Sequence, residues 1–241
     1  MPVDNLGKFV IAIDGPAASG KSTVAAEIAD QLDALMFDTG AVYRVLTLVA
    51  LARGVSPDDE DELAALIDKI DIAITTPSVD DGRQYDVYID DADVTWAIRD
   101  PEVDRAVSPV SVHARVRAGL LELQRKIGNS GQVVMPGRDV GTVVMPDADL
   151  KIWLDASLNE RARRRRAELL ERGIDVSVEE IRESMRQRDQ RDASRSEAPM
   201  EPSPDAVVIQ TDGREIEDVV KQILQLASLI PAIAEEGSPS S

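Results

Sequence analysis

The sequence predicts an α/β protein built on a parallel sheet, because short apolar runs alternate with stretches of helical periodicity. Residues 9–13 form a continuous apolar run that ends at the turn residues 14–16, a pattern typical of a strand buried on both faces. Beyond Ser22 the apolar residues recur at intervals of four, four and three, at Val24, Ile28, Leu32 and Leu35. This spacing predicts one apolar face of a helix directly after the strand.

Three later segments repeat the strand-then-helix pattern. Short apolar runs occur at residues 132–135, 150–154 and 206–209, and each is followed by turn residues and then by helical periodicity. Strands that alternate with helices in this way are typical of a parallel sheet flanked by helices. The last of these helices has its apolar residues on one face, at Ile216, Val219, Val220, Ile223, Leu224 and Ala227.

Two of the predicted helices begin with capping boxes. Ser157 precedes Glu160 by three residues, and Ser177 precedes Glu180 by three, so each serine and glutamate can cap the other's backbone N–H group. Gly173 follows the first of these helices and is a natural place for it to end.

The segment before residue 132 does not follow the alternation. Residues 72–74 and 85–89 are short β-prone runs joined by a turn-rich stretch, which predicts a hairpin. We interpret this region as an inserted subdomain. The Ala-, Glu-, Gly- and Ser-rich residues 231–241 are predicted to form a disordered tail.

The composition excludes several classes of protein. The chain has 241 residues, a formal net charge of −18, no cysteine and a single histidine, His113. Disulfide frameworks, cysteine nucleophiles, cysteine-rich metal sites and histidine-centred triads are therefore excluded. The acidic charge argues against nonspecific nucleic-acid binding, and no apolar run approaches the roughly 20 residues that span a bilayer. With no signal-peptide pattern at the start, we expect a cytoplasmic protein without nucleic-acid or membrane partners.

Arginine is concentrated in one window of this acidic chain. Residues 161–195 contain 11 of the 21 arginines beside eight acids, so this window is positive while the rest of the chain is strongly negative. Surface helices with salt bridges between successive turns would explain such a run. Because the guanidinium group binds phosphate and carboxylate in a forked geometry, an anion site explains the local excess better.

Residues 15–22 match the phosphate-binding pattern G-x-x-x-x-G-K-[ST] in full. In this loop backbone N–H groups surround a phosphate, the lysine reaches the β- and γ-phosphates, and the final hydroxyl ligates Mg²⁺. We therefore predict a nucleoside-triphosphate site with Lys21 on the phosphates and Ser22 on Mg²⁺. The residues expected to contact the nucleotide are Gly15, Pro16, Ala17, Ala18, Ser19, Gly20, Lys21, Ser22 and Thr23.

Most other classes of P-loop protein are not supported. A GTPase needs an N-K-x-D motif, and no Asn-Lys pair occurs in the chain. A transporter ATPase needs L-S-G-G-Q, of which residues 130–132 are only a fragment. A small kinase that passes the γ-phosphoryl group to a second bound molecule remains.

Four further motifs follow the P-loop. They are DTGAVYR at residues 38–44, residues 99–117 with Ser108, GRDVGT at 137–142 and RDQRDASR at 188–195. In this order they closely resemble the motifs of bacterial-type cytidylate kinases, over about residues 9–227. The resemblance implies the P-loop nucleoside-monophosphate kinase fold. It also implies phosphoryl transfer from Mg²⁺-bound ATP to CMP or dCMP, which we expect a monomer to perform.

The resemblance also implies a division of the chain. The P-loop core would comprise residues 1–40, 106–157 and 174–230, with residues 41–105 as the insert that binds the nucleoside monophosphate. Residues 158–173 would form a short lid.

Roles for individual residues follow from the matching positions. Around the acceptor phosphate we expect Thr39, Arg44 and Arg138. For reading cytosine we expect Ser108, Arg117 and Asp139. The ribose contacts would be Arg188 and Asp192, with Arg195 as a further substrate-side arginine. The lid arginines Arg161, Arg164 and Arg165 would join Lys21 in stabilising the transferred phosphoryl group.

Two positions depart from the family pattern. Pro136 stands where an acidic residue usually precedes G-R-D, and Gln210 ends a strand that usually ends in Asp. Two other functions stay open at this stage: a P-loop kinase for another acceptor, such as UMP or a small metabolite, and a nucleotide-binding regulatory protein without transfer activity.

Overall fold

The computed structural model describes residues 7–171, 173–193 and 198–236, and its architecture is the predicted α/β fold. In chain order the strands are β1 (Phe9–Asp14), β2 (Leu35–Met36), β3 (Ile72–Thr75), β4 (Asp86–Ile89), β5 (Ala92–Asp93), β6 (Gln132–Pro136), β7 (Leu150–Asp155) and β8 (Val207–Gln210). Five of them form a parallel sheet in the order β2-β6-β1-β7-β8. All four predicted parallel strands are therefore confirmed.

Nine α-helices occur among the described residues. They are α1 (Lys21–Gln31), α2 (Gly40–Ala52), α3 (Glu60–Ile67), α4 (Pro101–Val110), α5 (Ala114–Gly128), α6 (Leu158–Glu171), α7 (Val178–Ala193), α8 (Ile216–Ala227) and α9 (Pro231–Glu236). Helix α1 packs against the sheet at β6 and β1, and α8 packs against α1 and β7. None of the helices described is long and apolar enough to cross a membrane.

The core is centred on β1, whose six residues are all buried. Ile11, Ala12 and Ile13 are completely inaccessible to solvent, as expected for a middle strand covered on both faces. The register pairs Ile13 with Pro136 of β6 and with Ile152 of β7, so β1 and β6 end side by side. The loops that leave these two strands are consequently neighbours.

The predicted hairpin is confirmed as an antiparallel pair, with Ile72 opposite Ile89 and Thr75 opposite Asp86. A third strand, β5, which the sequence analysis did not predict, completes this small second sheet. The Arg83 guanidinium group lies within 3.0 Å of the carboxylates of Asp81, Asp86 and Asp93 and connects β4 and β5 through charge.

The predicted helix caps differ in detail. At α7 both halves of the box form, since Ser177 Oγ accepts from Glu180 N at 3.2 Å and Ser177 N donates to Glu180 Oε2 at 3.3 Å. At α6 Ser157 Oγ accepts from Glu160 N, but Ser157 N donates to Asp212 instead. The end of α6 at Gly173 is confirmed by its left-handed φ of 75°.

The disordered tail predicted for residues 231–241 begins too early in the chain, because its first six residues are helical. Pro231–Glu236 forms α9, and the side chains of Ala232 and Ile233 pack against the main core. Alanine and glutamate favour helix, and two apolar contacts anchor this turn to the fold. Residues 237–241 of the predicted tail lie outside the described part of the chain.

Replacing Leu154 by Ala should lower the free energy of unfolding by about 2–5 kcal/mol, because the substitution leaves a cavity in the sheet core. Leu154 is 0 % exposed in β7, between β1 and β8. Urea denaturation of purified protein measures the change. Leu229→Ala is the control, since Leu229 is 78 % exposed and its replacement should cost less than about 0.5 kcal/mol. Equal losses in the two variants would contradict this description of the core.

Candidate active site

A cavity of about 910 Å³ opens where the loops after β1 and β6 lie side by side. This position at the carboxyl edge of a parallel sheet is the usual one for ligand sites in α/β proteins. The cavity is lined by most of the residues predicted to bind substrate: Ala17, Ala18, Gly20, Lys21, Ser22, Thr23, Thr39, Arg44, Ser108, Arg117, Arg138, Asp139, Arg165 and Arg188. The predicted P-loop residues Gly15, Pro16 and Ser19 are buried beneath this surface.

The P-loop requires glycine at its first position. A Cβ atom on Gly15 would lie 2.1 Å from the carbonyl oxygen of Leu154, and the φ of Gly15 is 147°. The loop therefore passes directly over the end of β7, which is possible only without a side chain. Helix α1 begins at Lys21, and the Lys21 ammonium group donates to the Pro16 carbonyl oxygen at 2.6 Å. The P-loop therefore folds back on the side chain of its own lysine.

Positive charge is concentrated on this side of the cavity. Burial and the neighbouring Arg138 lower the pKa of Lys21 to about 7. Arg138 together with burial lowers the pKa of Arg188 to about 10, and Arg44 and Arg165 act in the same direction. Such shifts mean that the cations repel one another across the cavity. The arrangement favours a polyanion such as a phosphate chain.

Thr39 and Arg44 lie next to the P-loop, at the start of α2. Thr39 is buried, and its N–H group donates to the Pro136 carbonyl oxygen at 3.2 Å. Gln124 supports it from α5 by donating to the Thr39 carbonyl oxygen at 3.3 Å. Thr39 is therefore held between β6 and α5, while Arg44 extends into the cavity from the start of α2.

Asp139 and Arg117 form an ion pair in the wall of the cavity. The Arg117 guanidinium group also lies 5.9 Å from the centre of the Tyr43 ring. Asp139 could instead have paired with its neighbour Arg138, but Arg138 pairs with Asp192 of α7 at 2.8 Å. Two adjacent residues of the GRD loop (residues 137–139) are thus held by partners from different helices.

Helix α7 presents one face to the site. Ile181 and Met185 are buried, and Arg188, one turn further on, lines the cavity. Asp192 is buried and pairs with Arg138, which lines the cavity. Arg195, predicted as a further substrate-side arginine, lies outside the described part of the chain.

The three predicted lid arginines do not behave alike. Only Arg165 lines the cavity, where it pairs with Glu168 at 2.7 Å. Arg161 is 5 % exposed, pairs with Asp189 at 2.7 Å and donates to the Ala17 carbonyl oxygen at 3.3 Å.

Arg164 donates to the carbonyl oxygens of Thr211 at 2.6 Å and of Ser19 at 3.4 Å. The expectation that all three arginines face one phosphoryl group is therefore corrected for this structure. Since α6 turns through about 100° per residue, Arg161 and Arg164 meet the P-loop backbone while Arg165 faces the cavity.

Asp14 is a residue of the site that the sequence analysis missed. Its carboxylate is buried at the end of β1 and accepts from the N–H groups of Val140 at 2.9 Å and Gly141 at 2.7 Å. The main chain of Asp14 continues into the P-loop, so this one side chain joins the P-loop to the turn after the GRD loop. An acid at the end of a fully apolar run was the signal that could have identified it.

The cavity also has an aromatic wall that the sequence analysis did not predict. The Arg99 guanidinium group lies 5.5 Å from the centre of the Tyr85 ring and 5.1 Å from that of Trp96. Tyr85 and Arg99 both line the cavity. In a chain with only 3 % aromatic residues, the occurrence of two of them close to an arginine in the sequence was the signal that could have identified this wall.

Asp14→Asn should remove a pH-dependent part of the stability. Burial raises the pKa of Asp14 to about 6, although the N–H groups of Gly141 and Val140 oppose the shift. The folded state then binds a proton that the unfolded state releases, so the contribution of Asp14 to stability increases as the pH falls from about 7 to about 4. The wild-type unfolding free energy, relative to the variant, should rise by roughly 2–3 kcal/mol over that range.

Urea denaturation at several pH values measures this difference, with Asp61→Asn as the control because Asp61 is exposed. A difference between wild type and Asp14→Asn that does not change with pH would contradict the raised pKa.

Comparison with known proteins identifies the family. The family model described as "Cytidylate kinase" matches residues 11–229. The cytidylate kinase of Chloroflexus aggregans is 52 % identical over 203 residues, which are 84 % of this chain and 86 % of that protein. That of Herpetosiphon aurantiacus is 46 % identical over 216 residues, or 90 % of this chain and 93 % of the relative. A bifunctional pantoate ligase/cytidylate kinase from a Synechococcus strain is 45 % identical over 90 % of this chain and 40 % of its own length. The chain therefore belongs to the cytidylate kinase family.

Proposed function

We propose that this protein transfers the γ-phosphoryl group of ATP to CMP or dCMP, giving ADP and CDP or dCDP. The observation that carries the proposal is one continuous cavity that joins a complete P-loop to the Arg117–Asp139 pair. A donor nucleotide on the loop and an acceptor base on the pair would place two phosphate groups among the same cations. We further infer that it acts as a monomer in the cytoplasm.

The donor side has the chemistry to hold ATP and Mg²⁺. The P-loop backbone would bind the phosphates, and the Ser22 hydroxyl group, which lines the cavity, would hold Mg²⁺. Mg²⁺ keeps several waters and is usually bound by few protein groups together with the phosphates. When bound, Mg²⁺ neutralises phosphate charge during transfer.

On the acceptor side, one set of residues would contact the phosphate of CMP and another set would contact its base. Thr39, Arg44 and Arg138 would surround the phosphate of CMP near Lys21, while Ser108, Arg117 and Asp139 would contact the cytosine. A carboxylate has two oxygens, so Asp139 can accept from Arg117 and from the cytosine amino group together. Arg188 and Asp192 would lie at the ribose.

Phosphoryl transfer requires little covalent help from a protein, so positioning and charge provide most of the catalysis. Lys21 and Arg188 already repel other cations in the cavity, and the negative charge of the phosphates would relieve that repulsion and keep Lys21 protonated. Arg165 would contribute further charge from the lid. Arg161 and Arg164, through their bonds to the P-loop backbone, would hold the lid helix against the donor site.

A panel of nucleoside monophosphates in a coupled assay for ADP tests the proposal. ADP formation should depend on CMP or dCMP. A preference for another monophosphate or for a small metabolite would indicate a kinase with a different acceptor. Nucleotide binding without any ADP formation would indicate a regulatory protein instead.

Lys21→Ala should lower kcat/KM by at least about 10³-fold while the protein stays folded, because the lysine charge stabilises the migrating phosphoryl group. Initial rates over a range of CMP concentrations at saturating ATP give kcat/KM, and circular dichroism checks the fold. Lys8→Ala is the matched control, since Lys8 is exposed before β1 and should have no effect. Near-normal turnover of the Lys21 variant would reject the P-loop assignment.

Asp139→Asn should reduce the preference for CMP over UMP by at least about tenfold, mostly through lost CMP activity. A carboxylate accepts the N4–H of cytosine but opposes the O4 of uracil, whereas an amide can donate to that O4. The kcat/KM ratio of the two nucleotides is the measurement. Asp192→Asn is the control, because a ribose contact should affect both nucleotides equally. A ratio that does not change in Asp139→Asn would remove Asp139 from base recognition.

A further inference from the structure

Arg44, expected at the acceptor phosphate, is paired with a carboxylate that lines the same cavity. Arg44 Nη2 lies 2.6 Å from Asp104 Oδ1, and Arg44 Nη1 donates to the Ile98 carbonyl oxygen at 3.2 Å. Both terminal nitrogens of the guanidinium group therefore have protein partners. Each of these nitrogens has a second N–H group for a ligand, but a phosphate that approaches the Nη2 side of Arg44 competes there with the Asp104 carboxylate.

Of the two partners of Arg44, Asp104 is the one that a phosphate can displace. The Ile98 carbonyl belongs to a buried residue, whereas the side chains of Arg44 and Asp104 are 29 % and 35 % exposed. Ion pairs that water can reach contribute little net stability, so their exchange costs little. Asp104 lies on α4, which packs against α2, and a rotamer change would move its carboxylate without moving either helix.

The charges of the two anions determine whether Arg44 binds the phosphate or the Asp104 carboxylate. A phosphate monoester carries more negative charge than a carboxylate and has three oxygens that accept hydrogen bonds, so it is the stronger partner for a guanidinium fork. An Asp104 carboxylate that remains nearby repels that phosphate through space. The pair therefore opposes the binding of any nucleotide whose phosphate reaches Arg44.

We propose that Asp104 is an exchange partner for Arg44: it occupies the guanidinium group when no acceptor phosphate is present and returns to it as the nucleotide leaves. This inference rests on the proposed function and adds a role for a residue to which the family resemblance assigns none. The carboxylate neutralises Arg44 in the empty site, weakens the binding of CMP and CDP alike, and so speeds the release of product.

Asp104→Asn tests the inference, because it keeps the size of the side chain and removes the charge. Isothermal titration should show CMP and CDP bound about three- to tenfold more tightly by the variant than by wild type. The affinity for cytidine, which has no phosphate, should stay the same. In steady state the KM for CMP should fall while the KM for ATP does not change.

Two matched variants separate charge from structure. Asp104→Glu keeps the carboxylate and should bind CMP within about twofold of wild type. Asp61→Asn removes one carboxylate from a highly exposed pair with Arg115 outside the cavity and should change no affinity. Thermal unfolding of each variant shows whether it is folded, and Asp104→Ala serves as a second neutral variant.

Weaker binding of CMP to Asp104→Asn would overturn the inference and make Asp104 a residue that positions Arg44 for the phosphate. Equal binding of CMP to wild type and variant would overturn it as well. If CMP does not bind the wild-type protein at all, the proposed function fails, which is a different result from either of these.

Discussion

The structure depends on holding several cations close together in a partly buried cavity. Burial and the charge of Arg138 lower the pKa of Lys21 and of Arg188, so without nearby carboxylates the cations at this edge of the sheet would repel one another. Carboxylates reduce that cost: Asp192 pairs with Arg138, and Asp104 with Arg44. Each of these pairs joins a site residue to a different helix. The charges needed for phosphate binding therefore also fix the helices around the site.

The donor loop and the acceptor side of the site are joined by hydrogen bonds to backbone groups. Asp14 accepts from the turn after the GRD loop, and Gly137 N donates to the Ile13 carbonyl oxygen at 3.0 Å. The Thr39 N–H group donates to Pro136, the residue before that loop. Donor loop, GRD loop and the start of α2 are consequently one hydrogen-bonded unit at the ends of β1 and β6. Pro136 departs from the usual acidic residue, yet its carbonyl oxygen still accepts this bond.

The sequence was a good guide wherever a pattern repeats at short range. Continuous apolar runs predicted the parallel strands, and the G-x-x-x-x-G-K-S spacing predicted the loop between β1 and α1. Helix α2 was not predicted, because its residues are apolar nearly all round and show no periodicity. The motifs identified which residues meet in the cavity, since eight of those outside the P-loop line it. Pairings across more than 100 residues, such as Asp14 with Val140, leave no local signal and had to come from the structure.

The arginine window shows why composition alone is ambiguous. Both explanations for it hold at once: Arg163 forms an exposed pair with Glu160, Arg165 faces the cavity, and Arg164 binds backbone. A helix distributes successive residues around its axis, so four adjacent arginines necessarily meet different surroundings. An arginine count therefore indicates that an anion site is near but does not say which side chains form it.

The net charge of −18 at first opposes the binding of anionic nucleotides. Its effect at the cavity is limited, because charges separated by more than the Debye length of about 8 Å at physiological ionic strength are largely screened. Within that distance the phosphates would meet Lys21, Arg138 and Arg188 in a partly buried site where screening is weak. A local cluster of cations can therefore bind a small polyanion even on a protein whose overall charge is strongly negative.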